Sequence, residues 1–199
     1  METMPSTSDK ILDIAQSLIV RGGYNGFSYA DISGAIGIRK ASIHHHFPTK
    51  SELVVVLVDR YRRQASEGLK ALDESFPNPL ERLKAYLGYW QQCIKDASAP
   101  ICVCAMLAGE MAMLPEEVAA RVRAHFQRLA QWLNDVLKAG ADQGAFQLTK
   151  KPADEAQLFM ATVHGAMLSA RALDDPKLFN VITKPLLDRL KAADVGWNS

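Results

Sequence analysis

An all-α fold is predicted for this chain by three observations. Apolar residues recur at helical spacing in segment after segment, no β-type alternation of useful length interrupts them, and Gly, Pro and small polar residues stand where helices need caps and breaks. About nine helices result. Three short ones in residues 1–50 read as a helix-turn-helix domain, and residues 51–199 as a separate helical bundle.

Taken in order, the first seven residues, METMPST, are polar, carry a proline and are expected to fray. Thr7 or Ser8 can cap the first helix, in which Ile11, Leu12, Ala15, Leu18 and Ile19 recur up to Arg21 before Gly22 and Gly23 stop it. Tyr24 and Phe27 complete the same small core. Ser28 can cap a second, short helix by accepting hydrogen bonds from its free first-turn amides. Asp31 suits the positive end of that helix, and Ile32, Ala35 and Ile36 give it an apolar face. Gly37 ends it, because glycine tolerates positive φ. Ile38 re-enters the core, and Arg39 to His45 form another short helix with Ile43 buried and Arg39, Lys40, Ser42, His44 and His45 left for other faces. That is the geometry of a recognition helix, so DNA binding is the leading functional reading.

Pro48 and Thr49 start a long helix, with Glu52 three residues after the Thr cap. It runs past Arg63 toward Leu72, carries Leu53, Val56, Leu57 and Tyr61 along one side, and links the two domains. After the FPNP break, Leu80, Leu83, Leu87, Trp90 and Ile94 mark a helix that ends near Ala99 and Pro100. A shorter apolar segment spans Ile101 to Met113. Pro115 then opens a long helix that buries Val118, Val122, Phe126, Leu129, Leu133, Val136 and Leu137, with Gly140 and Gly144 at its end. Pro152 opens the next, holding Ala156, Phe159, Met160, Val163, Met167 and Ala170. Asp174, Asp175 and Pro176 separate it from a last helix reaching about Lys191.

Composition bounds the function. A chain of 199 residues with 48% hydrophobic composition can bury one substantial core and a small satellite. Its net charge of +1 argues against indiscriminate binding of nucleic acid through a broad basic surface. Arg39, Lys40 and Lys50 must instead form a local patch, which a dimer would present twice. No N-terminal apolar run follows basic residues, and no apolar segment reaches roughly 18 residues, so neither export nor membrane insertion is indicated and a cytoplasmic location is expected. Three cysteines within twelve positions do not form a secreted disulfide framework. No Ser/His/Asp order, phosphate loop or pair of acids in an evident cleft supports an enzyme, and no cofactor is implied. Histidines 44 to 46 point about 100° apart on a helix and cannot converge on one metal ion.

The run IGIRKASIHHHFPTKSEL resembles the TetR family of transcriptional repressors in its turn glycine, buried aliphatics, Phe47 and following lysine. The resemblance implies a repressor of double-stranded DNA that dimerises through its last two long helices and reads an inverted-repeat operator with two recognition helices in successive major grooves. The small residues Ala161, Gly165, Ala166, Ser169 and Ala170 fit a close helix contact there, and ordinary internal packing is the alternative. Arg39 and Lys40 can reach base edges or phosphates, or remain solvated. Ser42 suits a base or phosphate oxygen, or only its own backbone. Lys50 matches the family's phosphate-holding lysine, and Ser28 can offer its amide or hydroxyl to a phosphate. His44 stands where the family usually has a tyrosine that touches the DNA backbone. Its phosphate contact is expected to be weaker or pH-dependent.

A repressor needs an input. Trp90, Met106, Phe126, Phe159 and Met167 can line an apolar cavity for a small hydrophobic effector, with His164 and Gln91 for polar selection; the alternative is ordinary core for the Met and aromatic residues and a hydrogen bond to a neighbouring backbone group for His164. The segment from Cys102 to Glu110 resembles a branch of TetR-type regulators in which a cysteine opens this helix, a glutamate follows eight residues later, and some members sense electrophiles or oxidants. Ile101 departs from the glycine that usually precedes that cysteine. A cysteine in the first turn of a helix sees unpaired amides, which favour its thiolate. Cys104 is expected roughly 200° around the helix from Cys102, which makes a disulfide between them strained and leaves Cys93 or a small-molecule adduct as partner. All three thiols can equally be buried small hydrophobes. Two functions from different classes therefore stand: an effector-responsive repressor, and a helical small-molecule-binding protein of the same fold without specific operator recognition.

Overall fold

A computed structural model describes residues 6–191. Among them the chain forms nine α-helices and one short 3-10 turn: α1 (Thr7–Gly22), α2 (Tyr29–Ile36), α3 (Lys40–His46), α4 (Lys50–Ser75), α5 (Pro79–Lys95), α6 (Val103–Ala108), the turn Met111–Met113, α7 (Glu116–Asp142), α8 (Pro152–Ala172) and α9 (Lys177–Leu190). The expected fraying of the first residues concerns 1–5, which lie outside the described residues. Ser6, not Thr7 or Ser8, caps α1. Its hydroxyl accepts from the Asp9 amide while the Asp9 carboxylate accepts from the Ser6 amide, a reciprocal pair that leaves Thr7 free to be helical.

Two compact units divide the described residues. The first takes the residues up to Ala65 together with Cys102–Phe126, and the second takes Ser66–Ile101 together with those from Gln127 onward. Both α4 and α7 contribute to each.

In the first unit α1 packs on α2 and α6, and α2 on α3. Ile11, Ala15 and Ile19 of α1, Ile32 of α2, Ile43 of α3 and Leu53 and Leu57 of α4 are fully buried, with Phe27 and Phe47 at 5% exposure. Burial of such side chains contributes about 1.5–3 kcal/mol each relative to exposure. On α4 the buried stripe is Leu53, Val54, Leu57 and Val58, and Val56 is 44% exposed. That corrects the expected side: residues spaced three and four apart from Leu53 and Val54 define the face, and Val56 lies beyond it. Ala35 is likewise exposed, so α2 leans on Ile32 and, partly, Ile36.

In the second unit α9 packs on α8 and α5. Phe159, Phe179, Leu83 and Leu133 are among its largest buried side chains. Helix α5 stops at Lys95 rather than near Pro100, because Asp96 turns back to accept from the Ser98 amide and Ala97 takes positive φ. The Trp132 indole N–H donates to Asp73, which Arg82 also pairs, tying α7, α4 and α5. Glu155 of α8 is 1% exposed, and both its oxygens accept from Arg189 of α9, at 3.1 and 2.6 Å. That pairing holds the Glu155 carboxyl down at about 2. No described helix is long and apolar enough to cross a membrane.

Candidate functional site

The turn between α2 and α3 is set by backbone chemistry. Gly37 caps α2 in the left-handed region, with φ 69°, and its amide donates to the Ser33 carbonyl. At the other end of α2, Ser28 is extended and forms a reciprocal cap with Asp31: the Ser28 amide and hydroxyl both donate to Asp31, each at 2.7 Å, and the hydroxyl accepts from the Ala30 amide. These bonds hold the Asp31 carboxyl below its ordinary value. Both Ser28 donors are therefore occupied, so the expectation that Ser28 offers them to a phosphate requires Asp31 to let go.

Helix α3 begins one residue later than expected, with Arg39 as its extended cap. Ile43 anchors it inward, while Arg39, Lys40, Ser42, His44 and His45 are exposed. Around this anchor Tyr29, which sequence reasoning passed over, fixes the end of α3. Its hydroxyl donates to the Phe47 carbonyl at 2.8 Å, and burial pushes its pKa up to about 12, so it stays a donor. His44 lies 4.7 Å from the Tyr29 ring, centroid to centroid, with Nδ1 3.2 Å from the Pro48 carbonyl. Lys50 is half-buried. Its ammonium donates to the Phe27 carbonyl and sits over the Tyr24 and Phe27 rings at 4.8 and 4.2 Å. Desolvation lowers its pKa. Its charge is thus turned toward the start of α2, not outward.

A second arrangement holds the same head from behind. Glu110, just past α6, accepts from the Tyr24 amide at 2.6 Å, the Asn25 amide at 3.2 Å and the Asn25 side chain at 2.8 Å. The carboxylate clamps the turn between α1 and α2. Gly23 makes room for it: φ is 74° there, and a Cβ would stand 1.7 Å from Glu110 Oε1.

At the other end of α6 lies a cluster of thiols. Cys102 is not in the first turn of the helix. It is the extended cap of α6, and its side chain makes no capping hydrogen bond. The favoured thiolate expected from helix amides therefore loses that support. Side chains surround the sulfur instead: the Tyr61 hydroxyl donates to Cys102 Sγ at 3.3 Å, and His125 Nε2 lies 3.7 Å away. Because Cys102 is extended, the expected angular separation from Cys104 also fails. Cys102 close by and burial raise the Cys104 thiol above its ordinary value. Cys102 and Cys104 are 1% and 0% exposed. Cys93 is buried on α5, in the second unit, and all three are free of disulfides.

His125 was legible, since Val118, Val122 and position 125 follow helical spacing; reading Phe126 as the buried member of that stripe missed it. The structure buries His125 and leaves Phe126 half-buried. Of the expected effector contacts, Trp90, Phe159 and Met167 are buried in the second unit, where His164 is half-buried and Gln91 is exposed. Met106 is half-buried in the first unit. His164 Nδ1 meets the Met160 carbonyl of its own helix at 2.8 Å. The buried indole N–H of Trp90 has no hydrogen-bond partner among the described residues. No group of three or more His, Cys, Asp or Glu residues able to hold a metal occurs among the described residues.

Comparison with known proteins bears on both arrangements. Residues 11–57 match the bacterial regulatory proteins of the tetR family, and residues 79–186 match the Tetracyclin repressor-like C-terminal domain. A TetR-family transcriptional regulator from Agrobacterium tumefaciens is 56% identical in sequence, with a TM-score of 0.92 over 93% of this chain and 97% of that one. The HTH-type transcriptional regulator CymR of Pseudomonas putida is 32% identical over 97 residues, 49% of this chain and only 44% of CymR. The repressor NemR of Escherichia coli is 22% identical over 85% of this chain and 86% of NemR, and its reduced form superposes with a TM-score of 0.82 over 96% of this chain and all of that one.

Proposed function

This chain belongs to the TetR family of bacterial transcriptional regulators, and on that footing we propose that it is a dimeric repressor released from an inverted-repeat operator by a small-molecule effector. The observation that carries the reading is the exposed row Arg39, Lys40 and Ser42 on a helix fixed from within by Ile43, Tyr29 and the Gly37 turn. That presents side chains to the major groove on a rigid support. Residues 1–50 serve as the reading head and 51–199 as the effector and dimer part. Dimerisation uses α8 and α9, where Leu168 and Val181 are 53% and 63% exposed, with Leu173, the cap of α8, at 70%. Exposed apolar side chains suit an interface between two copies.

Two features support an input. Trp90 offers an unpaired buried donor to an acceptor atom of a hydrophobic effector. Cys102 offers a thiol to an electrophile or oxidant, and the short segment from Cys102 to Glu110 connects that thiol to the clamp on Tyr24 and Asn25. An effector state that disfavours this clamp would release the head, since coupling needs only a difference in affinity between the two states. The test is fluorescence anisotropy of the purified protein on DNA from upstream of its own gene, at fixed salt, before and after oxidant and after reductant. Salt-sensitive specific binding lost on treatment and regained with reductant is the expected result. Binding no tighter than to scrambled DNA, at every candidate operator, would overturn the repressor reading in favour of a small-molecule-binding protein of the same fold.

A further inference from the structure

Few donors in the reading head are free to meet the DNA backbone. The Ser28 amide and hydroxyl are spent on Asp31, and the Lys50 ammonium on the Phe27 carbonyl and two rings. His44 is placed differently. It is exposed on the last turn of α3, and the end of a recognition helix runs beside phosphates while its first residues face the bases. Its ring stands against the Tyr29 ring, and its Nδ1 is 3.2 Å from the Pro48 carbonyl. A carbonyl oxygen only accepts, so this bond places the proton on Nδ1. In the neutral ring Nε2 then holds a lone pair and no hydrogen. Toward a phosphate oxygen such a nitrogen has nothing to donate.

We propose that His44 is a phosphate contact that forms only with its ring protonated, so that each reading head takes up a proton as it closes on DNA. The inference rests on the reading of α3 as the recognition helix and goes beyond it by assigning the state of one contact. Protonation puts a hydrogen on Nε2 and a positive charge on the ring. That turns a repelling lone pair into a charge-assisted donor while the bond to Pro48 is kept. The neighbouring histidines lack this constraint. His45 and His46 make ring contacts, and no hydrogen bond among the described residues fixes which of their nitrogens carries the proton, so either can donate while neutral.

The direction follows from linkage. DNA favours the charged ring, so the contact is fully present at low pH and is lost as pH rises through the titration of the bound ring. The groups around His44 are Tyr29 from α2, Lys40 one turn earlier and His45 on α3 itself, and from α4 Glu52, whose charge acts on Tyr29. Tyr29, pushed up to about 12, stays neutral, and lysines and carboxylates ordinarily keep their charge between about pH 6 and about pH 8.5. That leaves His45 and His46 as the other groups of the head able to titrate there.

Anisotropy on two duplexes of equal length, one from upstream of the gene and one scrambled, tests this across a salt series at about pH 6 and about pH 8.5. The whole protein should bind both duplexes at least about threefold more tightly at the lower pH, and its plot of log affinity against log salt should be steeper there by about 0.9 for each reading head engaged. His44→Gln, whose amide donates at either pH, should remove most of both differences with the melting temperature unchanged. His45→Gln and His46→Gln should keep them. Long-range proton–nitrogen NMR spectra of the free protein at the higher pH should show His44 protonated at Nδ1. A neutral ring protonated at Nε2, equal affinity and slope at the two pH values, or a His44→Gln variant that keeps the full differences would overturn the proposal. Upstream DNA bound no more tightly than scrambled DNA is a separate failure, that of the repressor reading, and the proton linkage is still read on the scrambled duplex. No binding to either duplex at either pH would overturn both.

Discussion

The reading head and the thiol cluster lie in one compact unit and are assembled in opposite ways. In the head the decisive bonds join near neighbours: Ser28 with Asp31, Gly37 with Ser33, and Tyr29 with Phe47 eighteen positions on. Around Cys102 they join distant ones, Tyr61 at a separation of 41 residues and His125 at 23. Local bonds close as soon as their helices form, whereas the cluster exists only once α4, α6 and α7 have packed. A head built locally can be moved as a body. A cluster built from three helices registers small shifts in any of them.

The comparison breaks most sharply at Ile43. It is fully buried and carries α3, so Ile43→Asp buries an unpaired charge and should cost about 3 kcal/mol or more. Operator binding should vanish in anisotropy, while the reactivity of Cys102 toward a thiol reagent persists, because Tyr61 and His125, which hold its sulfur, lie in α4 and α7. Loss of both together would mean that the cluster depends on the head. A smaller effect isolates the surface of the head from its interior. Arg39 is exposed and caps α3, and Arg39→Ala should lower specific affinity by about 1–3 kcal/mol with the melting temperature unchanged. Equal affinity in a titration would remove Arg39 from the readout.

These two arrangements also differ in how far the sequence discloses them. The Ser28 cap, the Gly37 turn, the buried Ile43 and Phe47 and the order of nine helices follow from propensities acting over a few residues, and position fixes them almost alone. Val56 and Ala35 were misread because choosing which side of a helix is buried needs the partner helix. Cys102 was misread for another reason. Helical spacing does not reach it, because Cys102 is the extended cap of α6, and its neighbours Tyr61 and His125 come from other helices. Glu110 could be noted by its spacing, but not its grip on Tyr24 and Asn25, which lie 86 and 85 positions away in sequence.

Glu110 is where the two arrangements meet, so Glu110→Gln sharpens the comparison next. The amide keeps the shape of the carboxylate but cannot make charge-assisted bonds with both backbone amides, and about 1–2 kcal/mol of stability should go. If the clamp carries the signal, the variant should bind operator in the reduced state and respond weakly to oxidant. A full response alongside the lowered stability would confine Glu110 to a structural role.

The smallest effect separates two accounts of one lysine. By resemblance Lys50 holds a phosphate, and a phosphate contact removed from the complex should lower the slope of log affinity against log salt by about 0.9. Its ammonium, however, sits between the Phe27 carbonyl and two aromatic faces, where its charge orders the start of α2 and is partly hidden from solvent. Lys50→Gln should then weaken every DNA sequence by less than about 1 kcal/mol with the salt slope unchanged, because the loss lies in placing the head and not in releasing counterions. A slope reduced by nearly one counterion would mean that Lys50 swings out on binding. The bond to Phe27 would then be a resting position that DNA displaces.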